Sequence, residues 1–271
     1  MRVIPFFFRL PISATMLTPL TFPAFANCPA LGHGVFNRHG GVSHPPHASL
    51  NVSYGVDDDS RRVKENRERI RQSLGFDILV SGQQIHGSQV QVITEKPETD
   101  MEIAGCDAFI TNVAGVGLLI QQADCQAVML FDPQRLVAAN IHSGWRGSVN
   151  NIIAATIKVM TEEFATDPAH LLAAISPSLG PCCAEFVHYQ QELPGHFHPF
   201  QVKPNYFDFR AISRRQLEES GLKPENIAAA TICTVCDPNW FSYRREKKTG
   251  RFCSVIGVRG QESGVRSQEI G

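Results

Sequence analysis

The chain has 271 residues, of which 25 are basic and 26 acidic, for a formal net charge of -1. That balance removes the electrostatic case for nucleic acid or an anionic membrane surface as a partner and leaves a small molecule. The 43% hydrophobic content is ordinary for a globular protein with a substantial core, and eight irregularly spaced cysteines in a chain this long do not make a disulfide scaffold. Reduced thiols and a cytoplasmic location are the expectation, and composition sets no oligomeric state.

Residues 1–15 read as an upstream extension or disordered tail, with Met16 as the natural start. Ala24-Phe-Ala26 resembles a signal-peptidase site, but Arg9 and the prolines at 5, 11, 19 and 23 interrupt any continuous apolar run, and no stretch is long enough to span a bilayer. From Gly32 to Tyr54 the text is loop-like, with Arg38-His-Gly-Gly-Val-Ser-His-Pro-Pro-His47 at its centre. Residues 57–74 predict an amphipathic helix carrying Val63, Ile70 and Leu74 on one face and ended by Gly75.

Short strands are predicted at Phe76–Ser81 and Gln89–Thr94, with Gln83-Gln-Ile-His-Gly87 in their connection. After a loop carrying Cys106 and Asp107 come strands at Ala108–Asn112 and Val116–Gln121. A hairpin of Gln126–Phe131 and Leu136–Ile141 follows, apolar on both faces and therefore central in its sheet. Ser148 is positioned to cap a helix over Val149–Phe164. Beyond it lie a strand at His170–Ser176, a turn at Pro177–Pro181, an irregular Gly195–Asn205 and a helix over Phe209–Ser220. A strand at Ile227–Thr234, a loop over Cys236–Arg245 and a last strand at Arg251–Val258 complete the chain. With no repeat and no linker, one domain over 16–260 is expected, followed by a disordered tail at 261–271.

Cys125 and His142 lie equally far from a turn centred between Pro133 and Gln134. Around a symmetric loop these side chains face each other, with Cβ atoms roughly 4.5–5.5 Å apart. A thiolate beside an imidazole begins a zinc site or forms a nucleophile with its base. His86 is the leading third ligand, because Gly87 lets a backbone approach closely and Gln84 is positioned to support the ring. Ser143–Ser148, a glycine-rich turn feeding a helix start with Arg146 beside it, is a candidate anion site. Cys233-Thr-Val-Cys236 fits C-x-x-C without a second pair at zinc-ribbon spacing and reads as structural thiols. His196-Phe-His198, His39, His44 and His47 read as loop residues.

Several of these stretches resemble one family: Phe36-Asn-Arg-His-Gly-Gly-Val-Ser43, Ser49-Leu-Asn51, Asn66-Arg67, Gln84-Ile-His-Gly87, Asp107 to Thr111, Ala123-Asp-Cys125, His142-Ser-Gly-Trp-Arg-Gly147, Pro177 to Cys183, and Phe241-Ser-Tyr-Arg-Arg245 with Gly250-Arg251. The chain is similar over nearly all of 16–258 to the multicopper polyphenol oxidase or laccase-like proteins, also described as purine nucleoside phosphorylases, with the human laccase domain-containing protein as a relative. The resemblance implies a layered α+β fold of mixed β-sheets flanked by helices. It implies zinc held by His86, Cys125 and His142, with copper as the alternative ion. It also implies phosphorolysis of adenosine, inosine and S-methyl-5'-thioadenosine, with adenosine deaminase activity as a second reaction. Departures from the family pattern are Asn37 for threonine, Ser143 for alanine and Ala184 for tyrosine.

For that chemistry Arg146, Arg38 and Arg244 are the candidates to hold phosphate, on the fork geometry of arginine, with Asn51 as a sugar contact. The competing reading keeps the same residues without metal: an amide hydrolase acting on a cell-wall precursor, with Cys125 as nucleophile and His142 as base, as some relatives are linked to peptidoglycan editing. A copper-dependent polyphenol oxidase needs several paired histidines around a cysteine, which this chain lacks. A non-catalytic binding module is the remaining class.

Overall fold

The computed structural model describes residues 17–260, so the expectations for 1–15 and 261–271 lie outside the described residues. In chain order the strands are β1 (Leu31–Phe36), β2 (Ile78–Gln83), β3 (Val90–Ile93), β4 (Met101–Ala104), β5 (Ala108–Thr111), β6 (Val116–Gln122), β7 (Gln126–Asp132), β8 (Val137–Ser143), β9 (Leu172–Ile175), β10 (Gln201–Lys203), β11 (Tyr206–Phe207), β12 (Ile227–Ala229) and β13 (Phe252–Val258). The helices are α1 (Ser60–Leu74), α2 (Trp145–Val149), α3 (Ile152–Phe164), α4 (Tyr189–Glu192), α5 (Phe209–Glu219) and α6 (Tyr243–Glu246).

Two mixed sheets carry the core, one ordered β1-β13-β6-β2-β4 and the other β12-β9-β7-β8-β5-β3, with β10 and β11 forming a small separate hairpin. Period-two alternation explains the layering. Met129, Phe131 and Ala138 pack with Phe252 and Ile256 of the other sheet, and Phe109 and Ala127 pack with Leu118 and Ile120. The intervening residues Val128, Leu130, Ala139 and Ile141 face outward onto Ile153, Ile157 and Met160 of α3 and Leu217 of α5. On the far face of the five-stranded sheet, Ile70 and Leu74 of α1 cover Leu79, Leu119 and Val255. The result is helix, sheet, sheet, helix: the layered α+β fold of a single domain. Buried Asn140 stitches the two sheets, its Nδ2 donating to the carbonyls of Leu118 and Ser254 at 2.8 and 2.9 Å.

Most predicted elements are present, and the exceptions have physical causes. Residues 31–36 form β1 rather than a loop; Gly32 and Gly34 are required there because Phe76 and Pro19 lie on the strand, within 2.7 and 2.6 Å of where a Cβ would sit. The helix expected from Ser148 is broken. Ser148 is buried within α2, and α3 starts after Asn151, whose side chain accepts from the Ala154 N–H. β4 replaces part of the predicted loop before Cys106, and as a short edge strand pairing with β2 it has no alternation to read. α1 ends as expected at Gly75, in the left-handed region with φ 72°. Phe22 and Phe25 are buried in the inter-sheet core, which places Ala24–Ala26 within the folded domain. All eight cysteines are free, and no helix among the described residues is long and apolar enough to cross a membrane.

Candidate metal centre

Four chain segments meet at one end of the layer between the sheets. His142 lies near the end of β8, Cys125 immediately precedes β7, His86 sits between β2 and β3, and Asp107 immediately precedes β5. The hairpin register differs from the symmetric one expected: β7 and β8 pair Ala127 with His142 and Gln126 with Ser143. The connection is Pro133–Leu136, with Leu136 at φ 53° and Asp132 Oδ1 accepting from the N–H groups of Gln134 and Arg135. These contacts move the turn centre one residue along the chain. A two-residue change of register preserves the face, so Cys125 and His142 share it and meet diagonally rather than face to face.

The structure brings His86, Cys125 and His142 together, their ligand atoms all within 4.8 Å of one another. Cys125 Sγ lies 3.7 Å from His86 Nε2, and the two imidazoles meet edge to face with centroids 4.8 Å apart. Two imidazole nitrogens and one sulfur are a donor set suited to zinc or another borderline to soft ion, and three protein ligands leave a position free for a reactant. The residues therefore fit a bound metal.

Asp107 organises the set, and sequence reasoning assigned it no role. Its fully buried carboxylate accepts from the N–H groups of Ile85, His86 and Gly87 at 3.1, 3.0 and 2.9 Å, which fixes the His86 loop. Its Oδ1 also lies 2.7 Å from His142 Nδ1, leaving His142 Nε2 to face the other ligands. Gln84 does not support the His86 ring as expected: its amide bonds the backbone of Gln121 on β6 through both of its ends, and Asp107 holds the His86 loop through the backbone. Nor does the His86 loop need close approach at Gly87, where a Cβ would make ordinary contacts; the tight glycine is Gly144. There a Cβ would lie 2.7 Å from His86 Cδ2 and 3.0 Å from Cys125 Sγ.

Electrostatics prepare the thiol for a cation. Burial alone would raise the Cys125 thiol, but the charge of His142 and hydrogen bonds from His142 and His86 bring it down to about 6. Burial would lower His142, yet the Cys125 thiolate and Asp107 push it up to about 9. Burial likewise opposes the Asp107 carboxylate, and the bonds from His142, Gly87 and Ile85 hold it below the usual aspartate range. Near neutral pH the sulfur is thus a thiolate before any metal arrives.

The centre lies in a cleft of about 960 Å³. Aromatic residues Trp145, Phe186, Phe209 and Tyr243 line it, and Gln121, Glu185, His188, Arg244 and Arg251 supply polar groups. Of the four residues expected to handle phosphate and sugar, Arg244 alone lines this cleft. Its guanidinium donates to the carbonyls of Cys183 and Glu185, and its backbone N–H donates to Asp124 Oδ2. Arg146 is exposed and stacked on Trp145 outside the lining, because α2 turns it outward. Arg38 is paired with Glu246 at 2.7 Å and lies over the Phe241 ring. Asn51 is fully buried and saturated by Ser53, Asp58 and the Arg251 N–H, so it shapes a loop rather than facing the cleft. Arg251, which carries part of the family resemblance without an assigned role, lines the cleft as well.

Residues 32–259 match the family model described as multi-copper polyphenol oxidoreductase laccase. The chain belongs to this family. Among its relatives, a purine nucleoside phosphorylase of Corynebacterium glutamicum is 34% identical over 226 residues, 81% of this chain and 91% of that one. The purine nucleoside phosphorylase YlmD of Bacillus subtilis is 31% identical over 83% of this chain and 88% of its own. The crystal structure of YlmD from Geobacillus stearothermophilus superposes with a TM-score of 0.78 at 30% identity, covering 88% of this chain and 94% of that one. The three residues that the resemblance marks as departures each have a settled place in the structure. Asn37 Oδ1 accepts from the His39 N–H, Ser143 Oγ bonds Ser148 Oγ, and Ala184 is buried.

Proposed function

We propose that the protein is a zinc-dependent purine nucleoside phosphorylase acting on adenosine, inosine and S-methyl-5'-thioadenosine, with adenosine deaminase activity as a second reaction. The observation that carries this reading is the convergence of His86, Cys125 and His142, oriented by Asp107, in a cleft of nucleoside size that also holds two arginines. The names of the relatives from Corynebacterium glutamicum and Bacillus subtilis support it.

Phosphorolysis breaks the bond between the purine nitrogen and the anomeric carbon while a phosphate oxygen bonds that carbon. The aromatic residues of the cleft lining, Trp145, Phe186, Phe209 and Tyr243, offer faces on which the flat base can pack. Arg244 and Arg251 offer positive charge to phosphate, the work the sequence had suggested for Arg146 and Arg38. Glu185 is a hydrogen-bond acceptor for a sugar hydroxyl or the base. Held by His86, Cys125 and His142, zinc would supply Lewis acidity and the capacity to generate a nucleophile from water near neutral pH, which suits deamination. Asp107 keeps His142 Nδ1 occupied so that the ring presents one nitrogen consistently.

The test is to incubate metal-replete protein with adenosine, with and without phosphate, and to identify the products. Adenine with ribose 1-phosphate in the phosphate arm, inosine in both arms, and loss of all three in His142→Ala are expected. Substrate unchanged in both arms would overturn the reading.

One observation favours a second reading. The Asp107–His142 bond beside Cys125 has the orientation logic of a nucleophile, base and acid triad, which fits a Cys125 amide hydrolase. Purified protein without stoichiometric zinc, cleaving a peptidoglycan precursor and inactivated by Cys125→Ser, would replace the first reading with this one. A multicopper oxidase is disfavoured by the donors themselves, since no histidine-rich group comes together among the described residues.

A further inference from the structure

The second pair that the C-x-x-C of Cys233 and Cys236 lacks in sequence is supplied in space. Cys182 and Cys183, in the turn after Pro181, join Cys233 and Cys236 so that all four sulfurs lie within 4.8 Å of one another. Cys236 Sγ is 3.7 Å from Cys182 Sγ and 3.5 Å from Cys183 Sγ, and the Gly180 N–H donates to Cys233 Sγ at 3.3 Å. Zinc–sulfur bonds of about 2.3 Å in a tetrahedron place neighbouring sulfurs roughly 3.8 Å apart. Disulfide sulfurs stand about 2.05 Å apart. The 3.5 and 3.7 Å separations are those of ligands around one ion, and all four thiols are free.

We propose that Cys182, Cys183, Cys233 and Cys236 form a second metal site, a closed tetrathiolate site for Zn²⁺. Binding replaces four thiol protons with four zinc–sulfur bonds, releases those protons and involves no change of oxidation state. With every position taken by sulfur no reactant has access, so the site is structural.

Its place in the fold gives it a purpose. The two cysteine-bearing segments lead directly into the wall of the cleft, through Leu179 and Glu185 on one side and Tyr243 and Arg244 on the other. Protein contacts already tie them at a few points: an isolated β-bridge joins Ser178 to Cys233, the Thr234 N–H donates to the Ser178 carbonyl, and Arg244 Nη1 donates to the Cys183 carbonyl. Cys182 and Cys236 are 54 residues apart in sequence, so one ion cross-links a long loop and holds the two wall segments together. Exposure of Cys182 and Cys236 leaves the ion open to chelators.

The test is metal content of the full chain by mass spectrometry, with alkylation of its cysteines mapped by peptide mass. Two equivalents of zinc are expected in the wild type, falling to one in Cys182→Ser/Cys236→Ser and to one, from the other site, in His86→Ala/His142→Ala. In wild-type protein zinc should protect the four cysteines from iodoacetamide, and a chelator should expose them, a readout that needs no variant to fold. One equivalent in the wild type with unchanged alkylation on chelation, or a mass lower by two hydrogens from a disulfide within the four, would overturn the site. Neither result depends on nucleoside turnover.

Discussion

The floor of the cleft is carried by strand ends and its wall by loops and the short helices α4 and α6, and the two are held by different forces. On the floor, His142 and Cys125 sit at the ends of β8 and β7, whose neighbours pair on both sides, and buried Asp107 ties the His86 loop to the same frame. His86 and Asp124 hold positive φ of 59° and 92° there, a strain tolerated because Asp107 binds the His86 backbone and Thr234 and Arg244 bind Asp124. The wall, from Leu179 to Glu192 and from Cys233 to Arg251, is held by scattered bonds: backbone pairs such as Leu179 N–H to the Asp124 carbonyl and Thr234 N–H to the Ser178 carbonyl, and side-chain bonds such as Arg244 to the Glu185 carbonyl and Glu246 to Arg38. Ligand geometry is thus built on rigid elements, and substrate contacts are built on segments that can adjust.

The largest effect should come from loosening the floor. Asp107→Asn removes the charge facing His142 and places an N–H donor among the loop N–H groups, so metal affinity should fall about 10–100-fold, measured by competition with a chelator. An unchanged affinity would mean that the strands alone fix the ligands. On the wall, Arg244→Ala should leave metal content intact and lower kcat/KM about tenfold, equivalent to ~1.4 kcal/mol. Loss of metal in that variant would erase the distinction between floor and wall.

The smallest effect is expected from pH. Glu246 is held below its ordinary range because hydrogen bonds from Thr249, Arg245 and Arg38 outweigh burial, which acts in the opposite direction. Its folded pKa is depressed, so its stabilisation is full above the ordinary value of 4.5 and is lost as pH falls from there through the lowered folded value. Glu246→Gln should flatten the dependence of Tm on pH in that window while leaving the neutral-pH zinc content unchanged. An acid limb as steep as that of the wild type would place the acid-sensitive contacts elsewhere.

The floor was legible because strand alternation survives errors of register. The turn at Pro133–Leu136 is one residue off the symmetric centre, yet Cys125 and His142 remain on one face, since a change of two residues conserves parity. Asp107 was not legible, because a carboxylate at the start of a strand carries no periodic signal and its partners come from β8 and from the loop before β3. The arginines show the same limit. Arg146 stood next to a glycine-rich turn in sequence but points outward from α2, while Arg251, immediately before β13, reaches the cleft through the pairing of distant strands. The four-cysteine cluster depends on two loops that no local pattern could bring together.

The most direct test of the central claim is to strip the protein of metal, restore zinc stepwise, and follow ribose 1-phosphate release from inosine and phosphate. The account predicts negligible release without metal and recovery that tracks occupancy of His86, Cys125 and His142, with none in His142→Ala at any zinc level. Full turnover in metal-free protein, or none in fully loaded protein, would contradict it.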